Sequence, residues 1–320
     1  MKIKATIEKV PGGMMVLPLL LGATIHTLAP KSAESLGGIT GAVMTGTPVL
    51  LFVFFFAIGV NINLKASGKI AAKGINILIG KILLAAILGI GLNQILPENQ
   101  MMTGVLSGLS VLAVIAAFNA ANGGLYAALM SSLPDRDVDV AAYPFFSIQS
   151  GPFFTMITLG IAGIGSFPWQ ALVSTLVPFV LGWLLGTLDP EIREMFSPVS
   201  GALIPFFAFS IGFSMDFHMI INSGLTGILV GLGVVLISGF ILSTTDKLIL
   251  KSDGVAGWAA SSTAGAAVSV PPLIAEMDKT FAPVATSATA IVATSVIVTA
   301  ILTPVMTMWA YKRRYGEITK

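Results

Sequence analysis

Ten runs of about twenty apolar residues, separated only by short turns, leave this chain few ways to fold other than across a lipid bilayer. The runs occupy 10–29, 41–61, 71–96, 102–130, 140–164, 168–188, 198–217, 220–243, 255–275 and 282–311. Breakers mark the turns, among them Pro30-Lys31-Ser32, Pro97-Glu98-Asn99, Pro134-Asp135-Arg136, Asp189-Pro190-Glu191 and Lys251-Ser252-Asp253-Gly254. A hydrocarbon core about 30 Å thick takes roughly twenty helical residues, and each run, at 20 to 30 residues, reaches that length. The runs are two to three times too long for barrel strands and lack period-two alternation. Charged residues make up 10% of the 320 and hydrophobic residues 55%, with a mean hydropathy of +0.92. A soluble domain carries about a quarter charged residues, so lipid must replace much of the water. The expected fold class is an all-α membrane protein with ten transmembrane helices. Lys2, Lys4 and Lys9 ahead of the first run imitate a signal peptide, but no small-x-small cleavage site follows, so that run counts as a span.

Basic residues set the direction. With ten spans one side collects Lys2, Lys4, Lys9, Lys65, Lys69, Lys73, Arg136, Arg193, Lys247, Lys251, Lys312, Arg313, Arg314 and Lys320, and the other only Lys31 and Lys279. Lys81 falls inside a span. The bias places both termini in the cytoplasm. Trp169, Trp258, Trp309 and Tyr311 fall near span ends, where amphipathic rings belong.

The chain also repeats itself. VLPLLLGATIHTLAP at 16–30 returns as LVPFVLGWLLGTLDP at 176–190, with Pro18, Gly22 and Pro30 matching Pro178, Gly182 and Pro190. FAIGVNINL at 56–64 returns as FSIGFSMDF at 209–217, and AFNAANGG at 117–124 more weakly as ASSTAGAA at 259–266. The order is the same in both halves, at offsets of 160, 153 and 142 residues. This predicts two five-helix repeats, 1–166 and 167–320. An odd number of spans per unit inverts the second one, a pattern of secondary transporters.

The fourth and ninth runs break their own helices at corresponding places. Phe118-Asn119-Ala120-Ala121-Asn122-Gly123-Gly124 interrupts one, and Ser261-Ser262-Thr263-Ala264-Gly265-Ala266-Ala267, followed by Pro271-Pro272, interrupts the other. Lipid offers no replacement hydrogen bonds, so the freed backbone must face protein or a water-filled cavity. Broken helices present N–H groups and positive dipole ends to an anion. Packing of small residues explains any single Gly or Ser here, but not paired polar breaks in equivalent halves. The candidate substrate-binding residues are therefore Asn119, Asn122, Gly123, Gly124, Ser261, Ser262, Thr263 and Gly265, with Gln149 and Ser150 of the fifth run alongside. Asn119→Ala and Asn122→Ala are expected to abolish uptake without disturbing membrane insertion. Thr286, Ser287 and Thr289 of the last run read as hydroxyls that satisfy backbone.

Ionisable candidates for proton coupling are few: His26, Asp216, Glu276 and Lys81. Lys81 lies about ten residues from a span end, where it can snorkel to the interface or supply positive charge near a substrate carboxylate. The absence of cysteine excludes disulfides, thiolate metal sites and cysteine nucleophiles. Zincin, P-loop and nucleophile-elbow motifs are missing, so no enzyme is expected, and neither cofactor nor metal site. A net charge of +2 leaves no basic face for nucleic acid.

Several strings carry a resemblance to a known family. The opening MKIKATIEKVPGGMMVLPLLLGA, FFFAIGVNINL, AAFNAANGGLYAALM and QSGPFFTM resemble the bacterial 2-keto-3-deoxygluconate permeases, over essentially the whole chain. The resemblance implies import of that small sugar-acid anion across the bacterial inner membrane by cation symport, usually with protons. It also implies a fold similar to the bile-acid sodium symporter group, in which helices 1, 2, 6 and 7 form a panel. Helices 3–5 and 8–10 would form a core in which discontinuous helices 4 and 9 cross. Sodium-coupled members of that group place a Glu at the ninth-helix crossover, where this chain has Thr263-Ala264-Gly265-Ala266-Ala267. That departure argues against the same sodium route. Another organic anion carried with sodium, or a non-concentrating channel or sensor, remain the alternatives, and the oligomeric state is left open.

Overall fold

The computed structural model describes residues 2–7, 13–61, 68–96, 100–131, 133–149, 151–164, 169–213 and 217–316. Every regular element among them is helical. Four helical stretches, at 68–93, 111–131, 224–249 and 279–315, are long and apolar enough to cross a membrane. Shorter apolar helices pack around them.

Glycine decides how one group of helices assembles. Gly13–Leu28 lies against Val199–Phe213, and Thr47–Val60 against Trp169–Leu188. A Cβ on Gly22 would collide with the Phe209 carbonyl, and one on Gly182 with the Phe56 carbonyl. The backbones touch because neither residue carries a side chain. These are the residues of the first two repeated strings: Gly22 and Gly182 match each other, as do Phe56 and Phe209. The two contacts are thus counterparts. Pro18 and Pro178 sit inside their helices at matching places.

The second group surrounds the broken helices. Val111–Asn119 ends at Ala120, which is extended (φ −125°, ψ 137°), and a new helix runs over Gly123–Ser131. Val255–Ala259 is followed by non-helical backbone to Ala264, a 3-10 turn over Gly265–Ser269 and the helix Val270–Met277. Pro271 and Pro272 therefore do not make the break. They open the second half-helix, where a missing N–H costs nothing. Gly68–Asn93 and Ala282–Tyr315 flank the pair as long scaffold helices. The latter, 34 residues long, spans about 51 Å.

Three local features depart from the continuous spans read in the sequence. The fifth run is divided into Tyr143–Ser147 and Pro152–Ile161, with Gly151 extended and against Phe55. The eighth contains a π-helical segment, Val234–Ser238, between Phe217–Gly233 and Gly239–Ile249. The second is preceded by short helices at Ser32–Leu36 and Gly38–Thr45, hinged where Gly37 and Gly38 adopt positive φ.

Candidate functional site

The two unwound stretches meet, and each satisfies the other's freed backbone. The Ala264 amide donates to the Ala120 carbonyl at 2.9 Å. With the offset of 142, the counterpart of that bond would run from the Asn122 amide to the Ser262 carbonyl. Instead the Asn122 amide donates to the Ser262 hydroxyl at 2.9 Å. The Ser262 carbonyl accepts from Lys81 Nζ at 3.0 Å. Lys81 thus takes the place of a backbone amide at the crossing point. It is wholly buried, so it does not snorkel to the interface.

Hydroxyls from the last helix complete the accounting, since a buried backbone group without a partner is costly. Thr303 donates to the Ser261 carbonyl at 2.8 Å, Thr299 accepts from the Thr263 amide at 3.1 Å, and Ser295 meets the Thr263 hydroxyl at 2.7 Å. The Thr263 hydroxyl also lies 3.1 Å from the Ala117 carbonyl, an acceptor at the end of the other broken helix. The sequence reading missed these three residues, though the signal was present. Ser295, Thr299, Thr303 and Thr307 recur every fourth position, which places hydroxyls on one helix face. Ser287 and Thr289, by contrast, bond to the carbonyls of Gly108 and Ala285, in keeping with their reading as backbone partners.

The predicted residues separate into a buried frame and an accessible edge. Asn119 is fully buried, donating to Thr155 at 3.2 Å and accepting from Thr158 at 2.8 Å. It therefore ties the Val111–Asn119 helix to Pro152–Ile161. Ser261, Ser262 and Thr263 are likewise fully buried. Gln149 is buried and donates to the Leu78 carbonyl at 3.0 Å, one turn before Lys81, while its Oε1 has no partner. The accessible edge consists of Asn122 and Gly265, both half-buried, and Gly124, which is exposed. Gly123 is buried. Asn122 caps the Gly123–Ser131 helix by accepting from the Leu125 amide at 3.1 Å. A Cβ on Gly265 would meet nothing within 4 Å, and one on Gly124 only the Asn122 amide oxygen at 3.7 Å. Open space therefore borders the crossover on this edge.

The other titratable candidates lie elsewhere. His26 packs edge-on against Phe213, with ring centroids 5.2 Å apart, within the glycine-packed group. Glu276 is exposed at the end of Val270–Met277. Ser150 and Asp216 lie outside the described residues. Among the described residues no group of three His, Cys, Asp or Glu could hold a metal ion.

Sequence reasoning also missed a buried charge cluster. Lys73 pairs with Asp139 at 2.9 Å and Asp246 at 2.8 Å, and Arg136 pairs with Asp139 at 3.1 Å and Asp253 at 2.7 Å. Burial alone would raise the Asp253 carboxyl. Hydrogen bonds from Arg136, Tyr315 and the Val255 amide outweigh it and hold the group down at about 2. Arg136 is held above its ordinary range: burial opposes its charge, and the Asp253 and Asp139 carboxylates more than offset that. Apart from Arg136–Asp139, the pairs join positions 66 to 173 residues apart, so no local pattern announces the cluster.

Comparison with known proteins gives this geometry a context. Residues 4–315 match the family described as 2-keto-3-deoxygluconate permease. A protein of that name from Bacillus subtilis (strain 168) is 54% identical over 313 residues, covering 98% of this chain and 94% of the relative. Its namesake in Enterobacter sp. (strain 638) is 46% identical over 320 residues, covering 100% and 96%. The one in Escherichia coli (strain K12 / DH10B) is 46% identical over 313 residues, covering 98% and 95%. Among solved structures, the sodium proton antiporter of Methanocaldococcus jannaschii at pH 8 superposes with a TM-score of 0.53 at 13% identity, covering 99% of this chain and 98% of that one. That likeness concerns the fold. An all-helical apolar chain, two broken helices joined at a polar crossing and a full-length family match lead to one conclusion: this chain belongs to the 2-keto-3-deoxygluconate permease family, whose members are membrane transporters and not enzymes.

Proposed function

We propose that this chain imports 2-keto-3-deoxygluconate, as its anion, by proton symport and alternating access. The observation that carries the reading is Lys81, a buried amine at the crossing of two broken helices, bonded to the Ser262 carbonyl and to no carboxylate among the described residues. A buried charge without a counter-ion is costly, so an anion arriving at the crossover gains more there than in water. Anion and proton at Lys81 favour each other, and that mutual preference is the linkage a symporter needs. The substrate carboxylate approaches along the open edge beside Gly265, Gly124 and Asn122, where helix N-terminal amides add positive potential. Its hydroxyls pair with the Asn122 amide and nearby hydroxyl groups. Asn119, Ser261, Thr263 and Gln149 hold the frame.

The wider architecture follows from the same reading. Ten spans arranged as inverted repeats, 1–166 and 167–320, place both termini in the cytoplasm of a bacterial inner-membrane protein. The counterpart contacts of Gly22 and Gly182, and the paired bonds of Ala264 and Asn122, support the repeat. The glycine-packed helices serve as the panel against which the core rocks. The test is uptake of labelled 2-keto-3-deoxygluconate into proteoliposomes with an imposed pH gradient and no sodium. Accumulation above equilibrium, collapsed by a protonophore, is expected. Accumulation that requires sodium would overturn proton coupling in favour of a cation site built from hydroxyls and carbonyls. Flux without accumulation would make the protein a channel.

A further inference from the structure

A cavity lies at the far end of the long helices, away from the crossover. It has a volume of about 540 Å³ and opens between the last turns of Gly239–Ile249 and the end of Ala282–Tyr315. The helices leading to it begin in close contact, because Gly227 and Gly231 face Thr294 and Val298 without side chains of their own. Farther along Trp258 and Trp309 fill the space between the two elements, edge to face with ring centroids 5.9 Å apart. Gly239 has no side chain, which lets the Trp258 ring lie on the helix.

The lining is cationic. Lys247, Arg313 and Arg314 all face the cavity, and among the described residues none of them forms an ion pair. Arg313 lies over the Trp309 ring at 5.4 Å. Asp253 also reaches the lining, but its Oδ2 is already held by Arg136 at 2.7 Å and by the Tyr315 hydroxyl at 2.6 Å. The Ser252 hydroxyl accepts from Lys73 at 2.7 Å, which leaves its own proton to donate. Basic residues in a last helical turn complement the helix dipole, and that accounts for their presence. It does not account for a roomy cavity that gathers three cations, unpaired among the described residues, with hydroxyls beside a pair of tryptophans.

Apolar tracks run from the cavity along both helices. Phe240 and Leu236 are 66% and 52% exposed on one helix, and Trp309, Val305 and Ile301 are 47%, 60% and 52% exposed on the other. A ligand that matches all of this is anionic at one end and has long apolar chains at the other. We propose that the cavity binds the phosphate headgroup of an anionic phospholipid, with its acyl chains lying along the two tracks. Basic pockets between transmembrane helices suit such headgroups, and tryptophan suits the same interfacial depth. The site is independent of the transported substrate, so it stands or falls apart from the crossover.

The test is native mass spectrometry of the full-length purified protein titrated with phosphatidylglycerol, with phosphatidylethanolamine of the same chains as comparison. The wild type is expected to retain phosphatidylglycerol preferentially, and Lys247→Gln/Arg313→Gln/Arg314→Gln to lose at least about tenfold of that affinity. The variant Lys2→Gln/Lys4→Gln/Lys69→Gln, which removes equal charge elsewhere, should stay within about twofold. Equal retention by wild type and pocket variant overturns the proposal, as does an equal loss in the control. If the triple variant is not monodisperse, Arg314→Gln alone should cost about fivefold. Inorganic phosphate is the last arm: thermal stabilisation by phosphate that matches the lipid's and vanishes in the pocket variant would mean a soluble-phosphate site instead.

Discussion

Replacing Lys81 by methionine separates a transport role from a structural one, because the two predict opposite changes in stability. The side chain is fully buried and donates to the Ser262 carbonyl at 3.0 Å. Methionine has nearly the same length and no charge. Removing the donor leaves that carbonyl without its partner, a cost of about 1–3 kcal/mol. Removing the amine recovers a desolvation penalty of several kcal/mol, since no carboxylate among the described residues offsets it. The second effect is larger, so Lys81→Met should melt at or above the wild-type temperature, by up to about 4 °C for a gain of about 2 kcal/mol. Concentrative uptake should be lost altogether. Lys81→Arg keeps the charge but cannot release a proton, so it should still bind substrate and exchange it without building a gradient. The assays are thermal unfolding in detergent and pH-driven uptake in proteoliposomes. A Met variant that melts several degrees lower, or one that accumulates substrate as well as wild type, would mean that Lys81 merely caps the Ser262 carbonyl.

Five further outcomes are expected. Asn119→Ala leaves the Thr155 and Thr158 hydroxyls without their shared amide, so it should lower stability by about 1–3 kcal/mol, read as a lower melting temperature. Asn122→Ala removes only a cap worth about 1 kcal/mol and should act mainly on uptake affinity. Gly182→Ala drives a methyl into the Phe56 carbonyl and should cost about 1–3 kcal/mol in the same assay, whereas Gly265→Val meets open space, should fold normally and should raise the KM for uptake. Asp253 is held at about 2 against its ordinary 3.8, which favours folding above pH 4; the contribution fades as pH falls from about 4 towards 2. Allowing for solvent screening it amounts to about 1–2 kcal/mol, so the stability gap between wild type and Asp253→Asn should narrow between pH 6 and pH 3.

The parts of this protein that could be read in advance are those where a local rule acts on consecutive residues. Asn119 to Gly124 and Ser261 to Gly265 concentrate Asn, Gly, Ser and Thr, all poorer helix formers than Ala or Leu, at mid-span, and the helices do break there. Pro271 and Pro272 misled slightly, because proline ends one helix and starts another with equal ease, and sequence alone does not say which. The division of the fifth run at Gly151 and the π-helical segment at Val234–Ser238 leave little local trace, since both depend on what packs alongside. Asn119 became a candidate as part of a polar break that has a counterpart in the other half of the chain. Its partners turned out to be Thr155 and Thr158, on a different helix, and only the fold could reveal them.

The most informative contrast lies on a single helix. Lys73 and Lys81 both sit on Gly68–Asn93, and both are buried, at 6% and 0% exposure. Lys73 is met by two carboxylates from separate elements, Asp139 and Asp246, and by the Ser252 hydroxyl. The fold thus can assemble counter-ions from distant positions around a buried lysine. Eight residues further on it brings none among the described residues, and Lys81 faces a carbonyl instead. If Lys81 were only a structural cap, a donor that is always neutral would serve better, because a buried amine must either carry an unpaired charge or give up its proton, and either costs more than one hydrogen bond returns. The chain accepts that cost where two broken helices cross. The missing negative charge is then best supplied from outside, by a substrate that is itself an anion.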